Sequence, residues 1–231
     1  MSNNLVVHDQ SGLQEITNSP MPTQPVFLRL LARIISYIFH PLFVPVYLVA
    51  FLVYIQPYLY SGFSIWEKKI ILIQAFVMYT FFPLITVGLL KALKLIHSIY
   101  LKTQRDRIIP YMACGVWYFW AWWVRYNLPG TPKELVSFSF AVLLTSSIGL
   151  IANIYMKVSM HAMAMGVVGT IMILMGFSQD ISFTVFTSVT LLITGLVCTA
   201  RLIASDHTPK EIYTGLFIGI ISQLIAHWFF A

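Results

Sequence analysis

The sequence of this protein has little charge and no long run of basic residues. Of its 231 residues, 14 are Lys or Arg and 8 are Asp or Glu, so charged residues make up 10% of the chain. A soluble domain carries charge on about a quarter of its residues. The low charged fraction therefore excludes a soluble globular protein, and the missing basic run argues against a nucleic-acid partner.

Cysteine is equally scarce, because Cys114 and Cys198 are the two in the chain and each lies inside an apolar segment. Such positions are typical of small buried hydrophobic residues, so we expect neither a disulfide nor a metal pair. The histidines and acids show no metal-ligand spacing, which predicts no metal and no cofactor. Residues 1–25 lack the pattern of a signal peptide, and their polar composition predicts a disordered tail before a single membrane domain at 26–231.

Apolar and aromatic residues are abundant. Hydrophobic residues make up 58% of the chain and aromatic residues 15%, with a mean hydropathy of +0.81. These values predict an all-α, multi-pass membrane helix bundle, with the bacterial cytoplasmic membrane as its expected location. After an interfacial amphipathic segment at 26–37, we expect about six to seven spans, with seven candidate segments. They lie at roughly 41–55, 70–90, 110–126, 135–156, 162–177, 183–204 and 212–230.

The loops after the second, fourth and sixth expected spans fall on one membrane face, because each span crosses once. These loops contain the stretches KTQRDRIIP, KVSMH and RLIASDHTPKE. The loops of the other face contain QPYLYSGFSIWEKK, NLPGTPKE and SQDIS, which have no histidine. The convergence of polar clusters predicts a functional site on the first face. Lys and Arg are nearly balanced between the faces, so the sequence does not set the orientation.

The third cluster has a functional and a structural interpretation. Arg201 can hold phosphate oxygens with its two-pronged guanidinium, His207 can act as a nucleophile or base, and Glu211 can orient the imidazole ring. Alternatively, Thr208 and Glu211 form a capping box for the last helix, and Arg201 extends to the interface from the end of its span.

The other two clusters are open to the same pair of interpretations. His161 can donate a proton to a leaving alcohol, and Ser159 can bind an anion with nearby backbone N–H groups. Alternatively, Ser159 is a helix N-cap and Lys157 an interfacial lysine. The first cluster supplies cations for phosphate or, alternatively, forms a basic flank in which Asp106 pairs with a neighbour; its cations are Lys102, Arg105 and Arg107.

The order of the clusters resembles the type 2 phosphatidic acid phosphatase (PAP2) superfamily, whose motifs read KxxxxxxRP, PSGH and SRxxxxxHxxxD. KTQRDRIIP, VSMH and ARLIASDHTPKE are similar to these motifs in that order, over roughly residues 100 to 215. Arg107 or Arg105 is expected to supply the cation that the first motif lacks. The chain departs from the family's arginine, proline, glycine, serine and aspartate at Ile109, Val158, Met160, Ala200 and Glu211.

The resemblance implies a PAP2-like core and a metal-independent phosphatase acting on an isoprenoid pyrophosphate, phosphatidic acid or phosphatidylglycerol phosphate within the lipid membrane. It implies that His207 attacks phosphorus to form a phosphohistidine, that Glu211 orients His207, and that His161 protonates the leaving oxygen. The implied phosphate-binding residues are Lys102, Arg105, Arg107, Lys157, Ser159 and Arg201. The alternatives are a lipid phosphotransferase, a non-catalytic relative that binds or translocates a phospholipid, and an ion or solute transporter.

Overall fold

The computed structural model describes residues 24–56, 58–101, 103–178, 183–204 and 207–230, and excludes the side chain at position 178. Over these residues the chain forms α-helices and two π-helical segments, with no strand. The expected all-α architecture is therefore confirmed for the described chain. Most of the expected N-terminal tail and the predicted phosphate ligand Lys102 lie outside the described residues.

The first helix, α1 (Val26–Ile38), occupies the segment expected to be interfacial and amphipathic. Ala32 and Ser36, one turn apart, are its buried residues, whereas Val26 and Phe27 are exposed. This division follows from helical periodicity, which places residues four apart on the same face. The buried face of α1 packs against the helix that carries Arg201.

The remaining helices follow one another with short connections. In chain order they are α2 (Val44–Ala50), α3 (Ile65–Phe76), α4 (Phe82–Ala92), α5 (Gln104–Asn127), α6 (Lys133–Tyr155), α7 (Met160–Ser178), α8 (Thr184–Ile203) and α9 (Pro209–Phe230). A π-helical segment, Phe51–Ile55, extends α2, and a second one, Val77–Phe81, joins α3 to α4. The second segment precedes Pro83, a residue that commonly distorts a helix.

Five helical stretches of the described chain are long and apolar enough to cross a membrane. They are the joined stretch Ile65–Ala92 and the helices α6, α7, α8 and α9. This supports a multi-pass helical membrane protein. The expected first span is a shorter apolar helix, Val44–Ile55, and α5 is not among the five, so the count of about six to seven remains a prediction.

Two helices begin earlier than the sequence interpretation placed them. We expected a loop up to Lys69, but α3 begins at Ile65 because Ser64 and Glu67 form a capping box. The Ser64 hydroxyl accepts a hydrogen bond from the Glu67 N–H at 3.3 Å, and the Ser64 N–H donates to Oε2 of Glu67 at 2.7 Å. The expected boundary near residue 70 was therefore wrong, because these reciprocal bonds satisfy backbone groups at an earlier helix end.

The start of α5 also differs from the expected boundary near Pro110. Thr103 caps this helix, with its Oγ1 accepting from the Asp106 N–H at 3.1 Å. Pro110 lies inside the helix, where it removes one backbone donor without ending the helical path. As a result, residues 104–110 of the basic stretch form the first turns of α5.

Close packing between α7 and α9 brings the beginnings of these two helices together. A Cβ atom added at Gly215 would lie 2.7 Å from the backbone oxygen of Ser159, and one added at Gly219 would collide with the backbone oxygen of Met163. Because the contacting positions advance in the same direction along both helices, α7 and α9 run parallel. Small residues permit this close backbone approach in membrane bundles.

Polar side chains also contact one another inside the bundle. Arg125 of α5, which is 5% exposed, donates to the Tyr79 hydroxyl at 3.2 Å. Tyr79 in turn donates to the hydroxyl of Ser139 at 3.0 Å. Arg125 is thus an interior residue of the bundle.

Candidate active site at the helix ends

The side chain of His207, just before α9, is held by two acceptors at the same ring nitrogen. Its Nδ1 lies 3.1 Å from the carbonyl oxygen of Lys157 and 3.1 Å from Oε2 of Glu211. A carbonyl oxygen only accepts hydrogen bonds, so the Lys157 contact requires the proton on Nδ1. In the neutral imidazole, the lone pair is then on Nε2, which is the state required of a nitrogen nucleophile.

Glu211 makes the contacts that both interpretations of the sequence require. Its Oε2 accepts from the Thr208 N–H at 3.0 Å, and its own N–H donates to the Thr208 hydroxyl at 3.3 Å. These reciprocal contacts are the capping box at the start of α9. The same carboxylate oxygen contacts His207, so the helix cap fixes the group that orients the ring.

The surroundings of His207 favour its neutral form. His207 is 6% exposed, and burial is the largest of the effects that lower the pKa of its imidazole below the ordinary value of 6.5. The hydrogen bond that His207 donates to Glu211 raises this pKa, whereas the charges of Arg107 and Arg201 lower it. The arrangement therefore combines a neutral, oriented imidazole with two cations close enough to affect its protonation.

Arg107 joins the first cluster to the second. This buried residue donates from Nη1 to the carbonyl of Val158 at 2.7 Å and from Nε to the carbonyl of Leu101 at 2.9 Å. Arg105 and Ile109 are exposed, as expected for residues one helical turn apart on the opposite side of α5. Of the two candidates for the cation missing at position 109, the structure therefore brings Arg107 into the site.

Asp106 supports the beginning of α5 and pairs with His97. Its Oδ1 accepts from the backbone N–H of His97 at 3.0 Å and lies 2.9 Å from the ring Nδ1 of the same residue. This is the paired state that the structural interpretation of the first cluster required. His97 is the partner, nine residues earlier in the chain.

Ser159 is completely buried at the start of α7, where its contacts are those of a helix N-cap. Its hydroxyl accepts from the Ala162 N–H at 3.4 Å, and its own N–H donates to the carbonyl of Glu211 at 3.3 Å. Lys157 is half-buried, and its ammonium group is near enough to Glu211 for their charges to interact. The connection between α6 and α7 thus touches the first and third clusters through its backbone.

His161 and Arg201 meet at a residue that the sequence interpretation did not include, Ser36 of α1. Nε2 of His161 lies 3.1 Å from the backbone oxygen of Ser36, which requires the proton on Nε2. Nη1 of Arg201 donates to the Ser36 hydroxyl at 3.2 Å. Helix α1 therefore contributes directly to the candidate site.

His40 is the second residue that the sequence interpretation missed. Its ring packs edge-to-face against His161, with centroids 5.5 Å apart. Its Nδ1 accepts from the Leu42 N–H at 3.3 Å, and burial followed by the charge of Arg201 lowers its pKa below 6.5. A weak signal for both missed residues was present in the sequence. Ser36 and His40 are polar residues four positions apart in an otherwise apolar stretch.

No group of three or more His, Cys, Asp or Glu residues that could hold a metal ion occurs in the portion of the chain that the structure describes. Cys114 is buried, Cys198 is partly buried, and neither forms a disulfide. The described cluster contains two histidines that are protonated at different ring nitrogens, one carboxylate and two arginines.

Comparisons with protein-family models, curated proteins and solved structures found no match.

Proposed function

We propose that this protein is an integral-membrane phosphatase that hydrolyses a lipid phosphate or pyrophosphate through a phosphohistidine on His207. The observation that carries the proposal is the double contact of His207 Nδ1 with Glu211 and the Lys157 carbonyl. This contact leaves Nε2 as the nucleophilic nitrogen, and Arg107 and Arg201 lie near enough to lower the pKa of the same ring. Positioning and charge stabilisation are the main requirements for phosphoryl transfer.

In the first step, the Nε2 lone pair of His207 attacks phosphorus while the bond from phosphorus to the lipid oxygen breaks. The lipid oxygen takes a proton from the imidazolium form of His161, which then becomes neutral and keeps its Nε2–H on the Ser36 carbonyl, and Arg107 and Arg201 stabilise the phosphoryl oxygens. Glu211 stabilises the positive charge that develops on the ring of His207. Water then attacks the phosphohistidine and gives a proton to His161, which releases phosphate and restores the Nε2 lone pair.

A lipid substrate fits the position of the cluster. The participating side chains lie at the beginnings of α5, α7 and α9 and at the end of α8. The exposed large apolar residues of α1 beside the cluster suit a membrane interface. An isoprenoid pyrophosphate, phosphatidic acid or phosphatidylglycerol phosphate can present its phosphate at this depth while its acyl or isoprenoid chain remains in the bilayer.

The decisive experiment is a measurement of phosphate release by purified protein from these three lipid classes. We expect wild-type protein to release phosphate from at least one class and His207→Ala to lose the activity. His227→Ala is the matched control, because it removes a histidine near the far end of α9. Absence of turnover by wild-type protein, or equal turnover by His207→Ala, would contradict the proposal.

A second candidate function is phospholipid binding without hydrolysis. It is favoured by the contacts of Arg107, two of whose nitrogens donate to backbone carbonyls, as a structural arginine would. In that case, lipid phosphates bind without phosphate release. A phosphorylated histidine is then absent after incubation with a lipid labelled at phosphorus.

A further inference from the structure

Ser36 lies on the face of α1 that contacts the candidate site, where it meets Arg201 and His161. It is 7% exposed, and its hydroxyl donates to the carbonyl of Ala32 at 2.8 Å. Because the hydroxyl proton is engaged by α1 itself, the hydroxyl oxygen is an acceptor for its other partners. It accepts the hydrogen bond from Nη1 of Arg201.

The two contacts of Ser36 with the site use different atoms. Arg201 contacts the side-chain hydroxyl, whereas His161 contacts the backbone oxygen. A substitution at position 36 can therefore remove the first contact and keep the second. This separation allows the role of the hydroxyl to be measured independently of the seating of α1.

We propose that Ser36 is a positioning residue that holds the Arg201 guanidinium in the orientation required to bind a phosphoryl group, so that α1 is part of the phosphate site. The inference rests on the proposed function, because it assigns Arg201 to phosphate. An arginine has many rotamers, and a hydrogen bond that fixes one of them reduces the conformational entropy lost on binding. The hydroxyl of Ser36 is itself fixed by Ala32, which makes it a rigid acceptor.

The direct test is the binding of inorganic orthovanadate, a phosphate analogue, to the purified full-length chain. We expect Ser36→Ala to weaken this binding about tenfold, the usual order for the loss of a hydrogen bond to a charged group. Ser36→Thr retains the hydroxyl and its bond to the preceding turn, so binding should return to within about threefold of wild type.

The control is Ser147→Ala in α6. The Ser147 hydroxyl also donates to the carbonyl four residues earlier, Leu143, at 2.9 Å, but it is exposed and outside the candidate site. The Ser147→Ala variant should bind orthovanadate with the same affinity as wild type. Thermal unfolding of all variants distinguishes a lost contact from a misfolded helix.

The dependence of turnover on pH separates positioning from a general loosening of α1. We expect Ser36→Ala to keep the pH profile of wild type, because His161 retains its backbone partner. A shifted profile, or orthovanadate binding equal to that of wild type, would overturn the inference.

The outcomes also distinguish this inference from the proposed function. If lipid hydrolysis depends on His207 but Ser36→Ala does not change orthovanadate binding, the inference about Ser36 is wrong and the proposed function stands. If no lipid is hydrolysed but orthovanadate binding still depends on the hydroxyl, the phosphatase proposal fails and the positioning role stands. If wild-type protein does not bind orthovanadate, the inference is overturned as well.

Discussion

A single carboxylate oxygen, Oε2 of Glu211, contacts both the backbone that begins α9 and the ring of His207. From sequence alone, a capping glutamate and a ring-orienting glutamate were alternatives. The structure makes them one arrangement, because the geometry of the cap determines where the carboxylate stands. Thr208 and Glu211 contribute differently to it, and this difference can be measured.

We expect Thr208→Ala and Glu211→Gln to have different effects. Thr208→Ala removes the hydroxyl of the capping box and should lower the free energy of unfolding by about 1 kcal/mol while largely preserving turnover. Glu211→Gln retains an oxygen acceptor for the cap but removes the charge beside His207, so turnover should fall roughly a hundredfold or more. Thermal unfolding and lipid-phosphate hydrolysis provide the two measurements. Parallel losses of stability and activity in both variants would argue against the division.

The pKa of His207 predicts the acidic side of the pH profile. Burial lowers this pKa below 6.5, so the neutral form, which is the nucleophile under the proposed function, persists at neutral pH and is lost as the pH falls through the lowered value. We expect the acidic decline of turnover to lie below pH 6.5. The hydrogen bond with Glu211 raises the pKa of His207. In Glu211→Gln, the residual activity should therefore decline at a still lower pH than in wild type. A decline that moves upward would contradict the assigned role of Glu211.

At the scale of elements, the crossing of α7 and α9 determines how the two histidine-bearing helix ends meet. Gly219→Ala would place a methyl group against the backbone oxygen of Met163, which cannot move away as a side chain can. We expect it to lower the free energy of unfolding by about 1–3 kcal/mol and to reduce turnover by separating His161 from His207. Thermal unfolding in detergent micelles measures the first effect.

Gly195→Ala in α8 is the matched control for this prediction. Nothing lies within 4 Å of a Cβ atom added at Gly195, so this variant should unfold like wild type or at a slightly higher temperature. If both alanine variants have the same stability, close backbone packing does not account for the requirement for glycine in α9.

The helices show which parts of the fold the sequence predicts. Long apolar runs indicated the extents of α6, α8 and α9 to within a few residues, because burial in lipid demands continuous hydrophobicity. The starts of α3 and α5 were misplaced because local caps at Ser64 and Thr103 extend these helices through polar sequence. A hydropathy profile contains no information about such hydrogen bonds. The S-x-x-E pattern that begins at Ser64 does indicate a capping box in the sequence.

At the scale of the whole molecule, alternation of the loops across the membrane indicated that the three clusters would meet. The structure brings Arg107, Lys157, Ser159, His207 and Glu211 into contact through the connection between α6 and α7. Ser36 could not be found in this way, because it is 125 residues from His161 and belongs to a segment before the first expected span. The packing of α1 on α8 brings it to the site.

The membrane crossing of α5 is a further prediction about the whole chain. Its 24 residues give a length of about 36 Å, enough to span the hydrocarbon core. In a variant with Cys114 and Cys198 replaced by alanine, we expect Tyr100→Cys and Leu128→Cys to react with an impermeant thiol reagent from opposite membrane sides. These positions flank α5 and are both exposed. Labelling of both from one side would remove α5 from the count of spans.

The carbonyl of Lys157 has a consequence for the identity of the covalent intermediate. Histidine can be phosphorylated at either ring nitrogen, and the two products are distinct isomers with different hydrolytic lifetimes. Because that carbonyl and Glu211 both face Nδ1 of His207, phosphorylation there would require breaking both contacts. Under the proposed function, the trapped enzyme should carry only the Nε2 isomer, so a backbone oxygen with no part in the reaction selects which isomer forms.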